Sequence, residues 1–174
     1  MKPVLPDILV PGLRIVFCGS AVGSASARAG AYYAGPGNHF WPILHETGLT
    51  PRRLAPGEFH CLADFGLGLT DLCKVRAGAD ADLKPGDDDV PALVRKIARF
   101  QPSFLAFNGK RAARAFCAAN PRTPAVSGYG LLPEGVGGTR LWVLPSTSGA
   151  ARRWWDERPW HDLAKAAATK GPPT

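Results

Sequence analysis

Residues 13–41 read LRIVFCGSAVGSASARAGAYYAGPGNHFW, and this stretch carries the strongest signal for the fold. Residues 13–18 are mostly apolar and lie between Gly12 and Gly19, which is typical of a buried strand. The loop that follows is rich in glycine, serine and alanine, whose small side chains let the backbone approach a ligand closely. Two tyrosines and the aromatic run 38–41 come next. The stretch therefore predicts a strand whose exit loop offers amides to a polar edge and an aromatic face to a flat ligand.

Length and composition are those of one globular domain. The chain has 174 residues, of which 45% are hydrophobic and 20% charged, and this is enough for one buried core. No apolar run approaches the roughly 18–20 residues of a membrane-spanning helix, and the N-terminus does not resemble a secretory signal. We expect a single domain over 1–174 with its core at about 13–165, a short flexible tail over 169–174, and no membrane partner.

The four cysteines are scattered, without a C-x-x-C pair or a matching histidine spacing. This pattern indicates reduced thiols and a cytoplasmic protein, with no metal site. The charge is more informative, because 21 Lys and Arg against 14 Asp and Glu give a net charge of +7. A basic protein of this kind suits a polyanionic partner such as nucleic acid.

Strand and helix signals alternate along the rest of the chain. Further strands are predicted at 67–73, 104–107 and 141–144. Helices are predicted over 39–48, within 52–62, from the Asp87–Asp89 cap and Pro91 to about residue 99, over 110–119, and from Pro159 onwards. This alternation favours a layered α/β fold with a mainly parallel sheet.

Small polar residues follow three of the predicted strands, at 19–20, 108–109 and 146–149. Ligands of open parallel sheets bind beyond the carboxyl ends of the strands, so these segments are expected to meet at one pocket. The Rossmann, P-loop and serine-hydrolase motifs are missing from the sequence. Once these three classes are excluded, the sequence still indicates a pocket for a flat ligand in basic surroundings.

Three segments in chain order resemble the uracil-DNA glycosylase superfamily, closest to its mismatch-specific uracil/thymine-DNA glycosylase branch. They are GPGNHFW at 35–41, FNGK at 107–110 and LPSTSG at 144–149. Residues 19–20 and 29–34 are also similar to the hypoxanthine-DNA glycosylase branch. The resemblance implies a three-layer α/β/α sandwich with a central four-stranded, mainly parallel sheet.

The activity that the resemblance implies is that of a monofunctional DNA glycosylase in base excision repair. Such an enzyme flips uracil or another deaminated base out of DNA and hydrolyses the N-glycosidic bond, leaving an abasic site. It would act as a monomer on DNA containing uracil or another deaminated base, and it needs no cofactor. The resemblance also assigns roles to single residues. Gly19, Ser20, Tyr33 and Asn108 would contact the base, with Tyr33 stacking on it. The residues that would contact the rest of the DNA are Lys110, Ser146, Ser148, Arg152 and Arg153.

One departure from the family concerns the catalytic group, because Ala21 stands where the mismatch branch carries a water-positioning Asn. Asn38 can position the water instead, although an Asn here also suits a helix N-cap. Asp71 is the other candidate. Next to the base it would be protonated or would accept a hydrogen bond from a ring N–H, and next to the sugar or the water it would act as an ionised carboxylate. The remaining alternative is a damage-recognising DNA-binding protein with little or no turnover.

A second departure concerns the residue that fills the space vacated by the flipped base. The counterpart in this sequence is Ala150, which is too small to fill a base stack. Arg152, Arg153 and Trp154 are the nearby alternatives. A small-molecule or nucleotide-binding α/β protein would also account for the fold, but not for three ordered segments together with the basic charge.

Overall fold

A parallel sheet forms the centre of the molecule. In the computed structural model, which describes residues 1–169, β1 (Ile15–Val22) lies between β2 (Leu67–Ala77) and β3 (Phe104–Asn108). The short β4 (Gly130–Leu131) and β5 (Arg140–Leu144) complete the order β2-β1-β3-β5-β4. The predicted four mainly parallel strands are β1, β2, β3 and β5, and β4 adds a two-residue antiparallel edge strand as a fifth.

Helices cover both faces of the sheet, as predicted. Alternate residues of β1 enter two separate cores, with Ile15 and Phe17 on one side and Val16 and Cys18 on the other. The five helices are α1 (Ser24–Ala29), α2 (Phe40–Glu46), α3 (Val90–Phe100), α4 (Lys110–Ala118) and α5 (Arg158–Ala168). Buried residues of α2 and α5 pack in the first core, and those of α3 and α4 in the second. The fold is therefore a three-layer α/β/α sandwich.

The predicted N-terminus of α3 is confirmed. The carboxylate Oδ1 of Asp89 accepts a hydrogen bond of 2.9 Å from the backbone N–H of Ala92, and Pro91 lies in the first turn. Three apolar side chains on one stripe of the helix, Val90, Leu93 and Ile97, are buried. Together the acidic cap and the stripe direct this helix onto the sheet.

Other boundaries differ from the sequence prediction. Strand β1 continues through Gly19 to Val22, because its parallel pairing with β2 extends well past Cys18. The predicted exit loop is therefore shorter, and it also contains α1, whose Ser/Ala composition has no apolar periodicity. The helix expected within 52–62 is a 3₁₀ segment at Pro56–Phe65, and β2 runs on to Ala77.

The first residues of the chain cover the outer edge of β2. The backbone N–H of Val4 donates to the carbonyl of Lys74, and Ile8 exchanges two hydrogen bonds with Leu69. This antiparallel contact brings Asp7 next to the sheet. At the other end, Thr169 follows α5, and the rest of the tail predicted for 169–174 lies outside the described residues. No helix within residues 1–169 is long and apolar enough to cross a membrane.

Candidate active site

A cavity of about 730 Å³ opens where the carboxyl ends of β1, β3 and β5 meet. The three small polar segments identified in the sequence all line it. Their lining residues are Gly19, Ser20, Asn108, Gly109, Ser146, Thr147, Ser148 and Gly149. The volume is within the range of small-molecule sites, about 300–1,000 Å³. Tyr33, Asn38 and Asp71 line the same cavity, so the structure brings most of the predicted site residues together.

Tyr33 presents a supported aromatic ring to the cavity. Its ring stacks on Phe40 with the centroids 4.0 Å apart and the planes inclined by 26°, and Phe40 in turn packs against Phe17 and Trp160. The Tyr33 backbone has a φ of +52°, which is uncommon for a residue with a side chain. Its hydroxyl oxygen is buried and has no hydrogen-bond partner among residues 1–169. Both features are unfavourable for folding, which is common at functional sites.

Asp71 is the most deeply placed acid of the cavity, with only 3% of its surface exposed. It lies opposite Gly19 in the β1–β2 register and inside β2, because this strand continues past the predicted end at residue 73 to Ala77. The ammonium Nζ of Lys74 lies 3.4 Å from Asp71 Oδ2 and forms an ion pair with it. Burial raises the pKa of Asp71, while Lys74 and the Tyr32 hydroxyl act in the opposite direction.

Gly19 leaves the space that the Asp71 carboxylate occupies. A Cβ built on Gly19 would lie 2.7 Å from Asp71 Oδ1 and 3.5 Å from the Tyr33 hydroxyl. The two oxygens therefore flank the same point on β1. Pairing between β1 and β3 ends at Cys18, so the backbone of Gly19 and the 8%-exposed Ser20 runs along the cavity beyond the end of that ladder.

Asn108 joins the end of β3 to the segment after β5. Its Nδ2 donates a 2.9 Å hydrogen bond to Thr147 Oγ1, and its Oδ1 accepts a 3.0 Å bond from the Thr147 backbone N–H. Asn108 lines the cavity, but each end of its amide is already bonded to Thr147. It is therefore well placed to hold the cavity wall, with one N–H left for a ligand.

Asn38 sits at the start of α2, where its Oδ1 accepts a 3.0 Å hydrogen bond from the Phe40 backbone N–H. The N-cap residue of α2 is His39, so this bond closes a turn just before the helix, and the helix-capping interpretation of Asn38 is wrong. The side-chain amide nitrogen of Asn38 is left as a donor. The neighbouring His39 N–H donates to the Thr147 carbonyl at 2.9 Å. This bond ties the loop that carries Asn38 to the segment after β5.

The residues predicted to contact DNA divide into two groups. Lys110, Ser146 and Ser148 line the main cavity, and Lys110 Nζ lies 4.4 Å from the centroid of the Tyr129 ring. Arg152 instead lines a smaller cavity of about 400 Å³ that shares Ser146 and Ser148 with the main one. Arg153 lines neither cavity, and its guanidinium lies 5.2 Å from the Trp154 ring centroid.

Two residues that shape the site, Lys74 and Thr147, could not be identified from the sequence. Thr147 lies inside a segment already singled out, but its bond to Asn108 joins residues 39 positions apart. Lys74 is three positions from Asp71, and regular strand alternation would place them on opposite faces. Trp154, already considered as an alternative to Ala150, is 65% exposed and lines the cavity, as do Ala21 and Ala150.

No cluster of three or more His, Cys, Asp or Glu within residues 1–169 could hold a metal ion.

The profile of the Uracil DNA glycosylase superfamily matches residues 6–166. Among solved structures, the chain is similar to the solution NMR structure of a "putative Uracil DNA glycosylase" from Methanosarcina acetivorans. The TM-score is 0.66 and the sequence identity 22%, over 96% of this chain and 98% of that one. At this identity the similarity concerns the fold. Because the superfamily match covers most of its length, the chain belongs to the uracil DNA glycosylase superfamily.

Proposed function

We propose that this protein is a monofunctional DNA glycosylase that removes uracil, and related deaminated bases, from DNA. It would act as a cytoplasmic monomer in base excision repair and leave an abasic site. The observation that carries the proposal is a single cavity in which a supported aromatic ring, a buried carboxylate and three small polar strand ends meet. Membership of the superfamily supports a DNA glycosylase activity, and the cavity suits a single base flipped from the DNA.

The depth of each polar group suggests its role. A flipped nucleotide enters base first, so its base edge reaches the deepest part of the cavity and its sugar stays nearer the mouth. Asp71 is almost fully buried, whereas Asn38 is half-buried. We therefore assign Asp71 to the base, where an ionised Oδ1 accepts a ring N–H, and Asn38 to the sugar and the water. Uracil and hypoxanthine each carry such a ring N–H beside a carbonyl.

The chemical step is hydrolysis of the N-glycosidic bond. The bond electrons leave with the base, the sugar develops oxocarbenium character, and a water oxygen adds to C1′. The proton that this water loses neutralises the departing base anion through solvent. Tyr33 would stack on the base and keep it aligned, an interaction worth about 1–3 kcal/mol. The amide nitrogen of Asn38 would donate to the water oxygen and so orient it. Ala21, on the same cavity wall, has no polar group for this task.

The surroundings of the cavity suit a DNA backbone. Ser146 and Ser148 would contact flanking phosphate or sugar, and Lys110 and Arg152 would add positive charge. Trp154 is the exposed aromatic residue at the rim, and it is large enough to take the space that the flipped base leaves.

A second candidate is a protein that binds damaged DNA without turnover, and Ala21 is the observation in its favour. A gel assay separates the two. End-labelled oligonucleotides with one uracil or one hypoxanthine, single-stranded or paired with G or A, are incubated with the protein and treated with alkali. Cleavage at the modified base supports the glycosylase. A retained gel shift without cleavage at stoichiometric protein would contradict the glycosylase and favour the binding protein.

A further inference from the structure

We infer that Lys74 is a positioning residue that holds the Asp71 carboxylate in its base-contacting orientation, and that Asp7 holds Lys74 in turn. This inference rests on the proposed function, because Asp71 matters for catalysis only if the cavity receives a base. It adds a half-buried charge network behind the cavity wall, reaching from the active site to the first residues of the chain.

The contacts of Lys74 are specific and few. Its Nζ lies 2.9 Å from Asp7 Oδ1, 2.8 Å from the Tyr32 hydroxyl oxygen and 3.4 Å from Asp71 Oδ2. An ammonium group has three hydrogens, so these contacts use all of its donors. The Lys74 side chain is 15% exposed, which limits competition from water. Asp71 is thereby fixed through Oδ2, and Oδ1 on the Gly19 side stays available as an acceptor.

An irregularity of β2 turns Lys74 toward Asp71. Ala21 pairs with Cys73, but the next residue of β1, Val22, pairs with Ala77. Residues 74–76 are therefore inserted without partners on β1. Such a bulge re-aims side chains, so Lys74 can share a side with a residue three positions earlier.

Asp7 anchors the far end of the network. Its carboxylate lies 2.7 Å from Lys96 Nζ in α3, as well as 2.9 Å from Lys74 Nζ, and it accepts a 2.8 Å hydrogen bond from the Thr70 hydroxyl. Two lysines and two aspartates then carry no net charge when both acids are ionised. Because Lys74 offsets the negative charge of Asp71, it also reduces the repulsion between Asp71 and the departing base anion.

The network has a consequence for the pH dependence of excision. Burial raises the pKa of Asp71, so the ionised form is lost at a higher pH than for an ordinary aspartate. If ionised Asp71 is required, excision falls as the pH falls through this raised pKa. The titratable groups that act on Asp71 are Asp7, Cys18, Tyr32, Tyr33 and Lys74, and Lys96 acts on it through its ion pair with Asp7.

The acid limb of the pH–rate profile is the pH range in which excision falls as the pH is lowered. Substitutions at the two ends of the network are expected to move this limb in opposite directions. Lys74→Met removes the ammonium and keeps most of the stem, so the limb moves to higher pH by about one pH unit. Below the limb, that displacement lowers excision about tenfold. Asp7→Asn keeps a side-chain oxygen that can accept from Lys74 but removes the negative charge that opposes ionisation of Asp71, so the limb moves to lower pH. Lys74→Arg keeps the charge and is expected to restore part of the lost rate.

The experiment measures single-turnover excision of uracil between pH 4.5 and pH 8.5 for these variants. Lys84→Met, at an exposed lysine outside the network, is the matched control and is expected to leave the limb in place. A merely structural role for Lys74 would lower excision at every pH without moving the limb, and that result would overturn the inference. A limb that moves the same way in Lys74→Met and Asp7→Asn would also overturn it.

A second readout does not depend on activity. The ¹³C chemical shift of the Asp71 carboxyl carbon reports its titration directly in the wild type and in each variant. If the wild-type protein excises no base, the proposed function fails, while this titration still decides whether Lys74 controls Asp71. If excision occurs but the Asp71 titration is the same in Lys74→Met, the inference fails and the proposed function stands.

Discussion

Replacing Gly19 with alanine tests the arrangement of Gly19, Asp71 and Lys74 directly. The added Cβ would lie 2.7 Å from Asp71 Oδ1, about 0.7 Å inside the closest ordinary contact of 3.4 Å. Asp71 cannot simply turn away, because Lys74 holds its other oxygen and the side chain is buried. Overpacking of this kind destabilises a protein by about 1–3 kcal/mol. We expect Gly19→Ala to lower the free energy of unfolding by that amount.

Excision is expected to fall as well, because the carboxylate that we propose as the base contact is displaced. We expect the single-turnover rate of Gly19→Ala to fall at least tenfold under conditions where the variant is still folded. Urea unfolding followed by circular dichroism measures the stability, and the alkali gel assay measures the rate. Gly57→Ala is the control, since a Cβ at Gly57 meets nothing within 4 Å. Wild-type stability and wild-type rate in Gly19→Ala would refute the placement of Asp71 over Gly19.

Five further substitutions, at four residues, probe the other parts of the site. Tyr33→Ala should weaken binding of the flipped base about 5- to 150-fold, the equivalent of about 1–3 kcal/mol of stacking. Tyr33→Phe should keep excision and raise stability, because it removes an unpartnered hydroxyl. Equal excision rates for the two variants would argue against stacking. Asn38→Ala removes the amide donor together with the acceptor for the Phe40 N–H, so we expect at least a hundredfold slower excision and a lower thermal stability, and a wild-type rate would exclude Asn38 as the water-positioning group. Asn108→Ala removes two hydrogen bonds to Thr147 and should lower the free energy of unfolding by about 1–3 kcal/mol. An unchanged midpoint in urea unfolding would show that these bonds do not stabilise the cavity wall. Trp154→Ala should slow excision from paired DNA more than from single strands, and equal slowing on both substrates would exclude a role in filling the duplex.

The architecture could be predicted from the sequence because its signals are local and periodic. The apolar run of β1 alternates between the two cores, with Phe17 in one and Cys18 in the other, as buried strands of a layered fold do. The small polar segment after each strand was informative for a geometric reason, since parallel strands bring their carboxyl ends to one edge. Asp89 and Pro91 marked the start of α3 through local chemistry alone.

The parts that could not be predicted depend on contacts between distant residues. Gly19 and Ser20 look like loop residues by composition, yet pairing with β2 keeps them in β1. The network behind Asp71 needs both a bulge in β2 and the return of Asp7 across the edge of that strand. Neither feature leaves a periodic signal in the sequence. Strand alternation alone would place Lys74 and Asp71 on opposite faces of the sheet.

The most direct test of the proposed function is to identify the products of uracil-containing DNA in ¹⁸O-labelled water. We expect liquid chromatography with mass spectrometry to detect free uracil without the label and an abasic strand that carries one ¹⁸O at C1′. The same reaction with Tyr33→Ala should give less of both products in equal proportion. Intact oligonucleotide after prolonged incubation with stoichiometric protein would contradict the proposed function, because hydrolysis of the glycosidic bond must release the base.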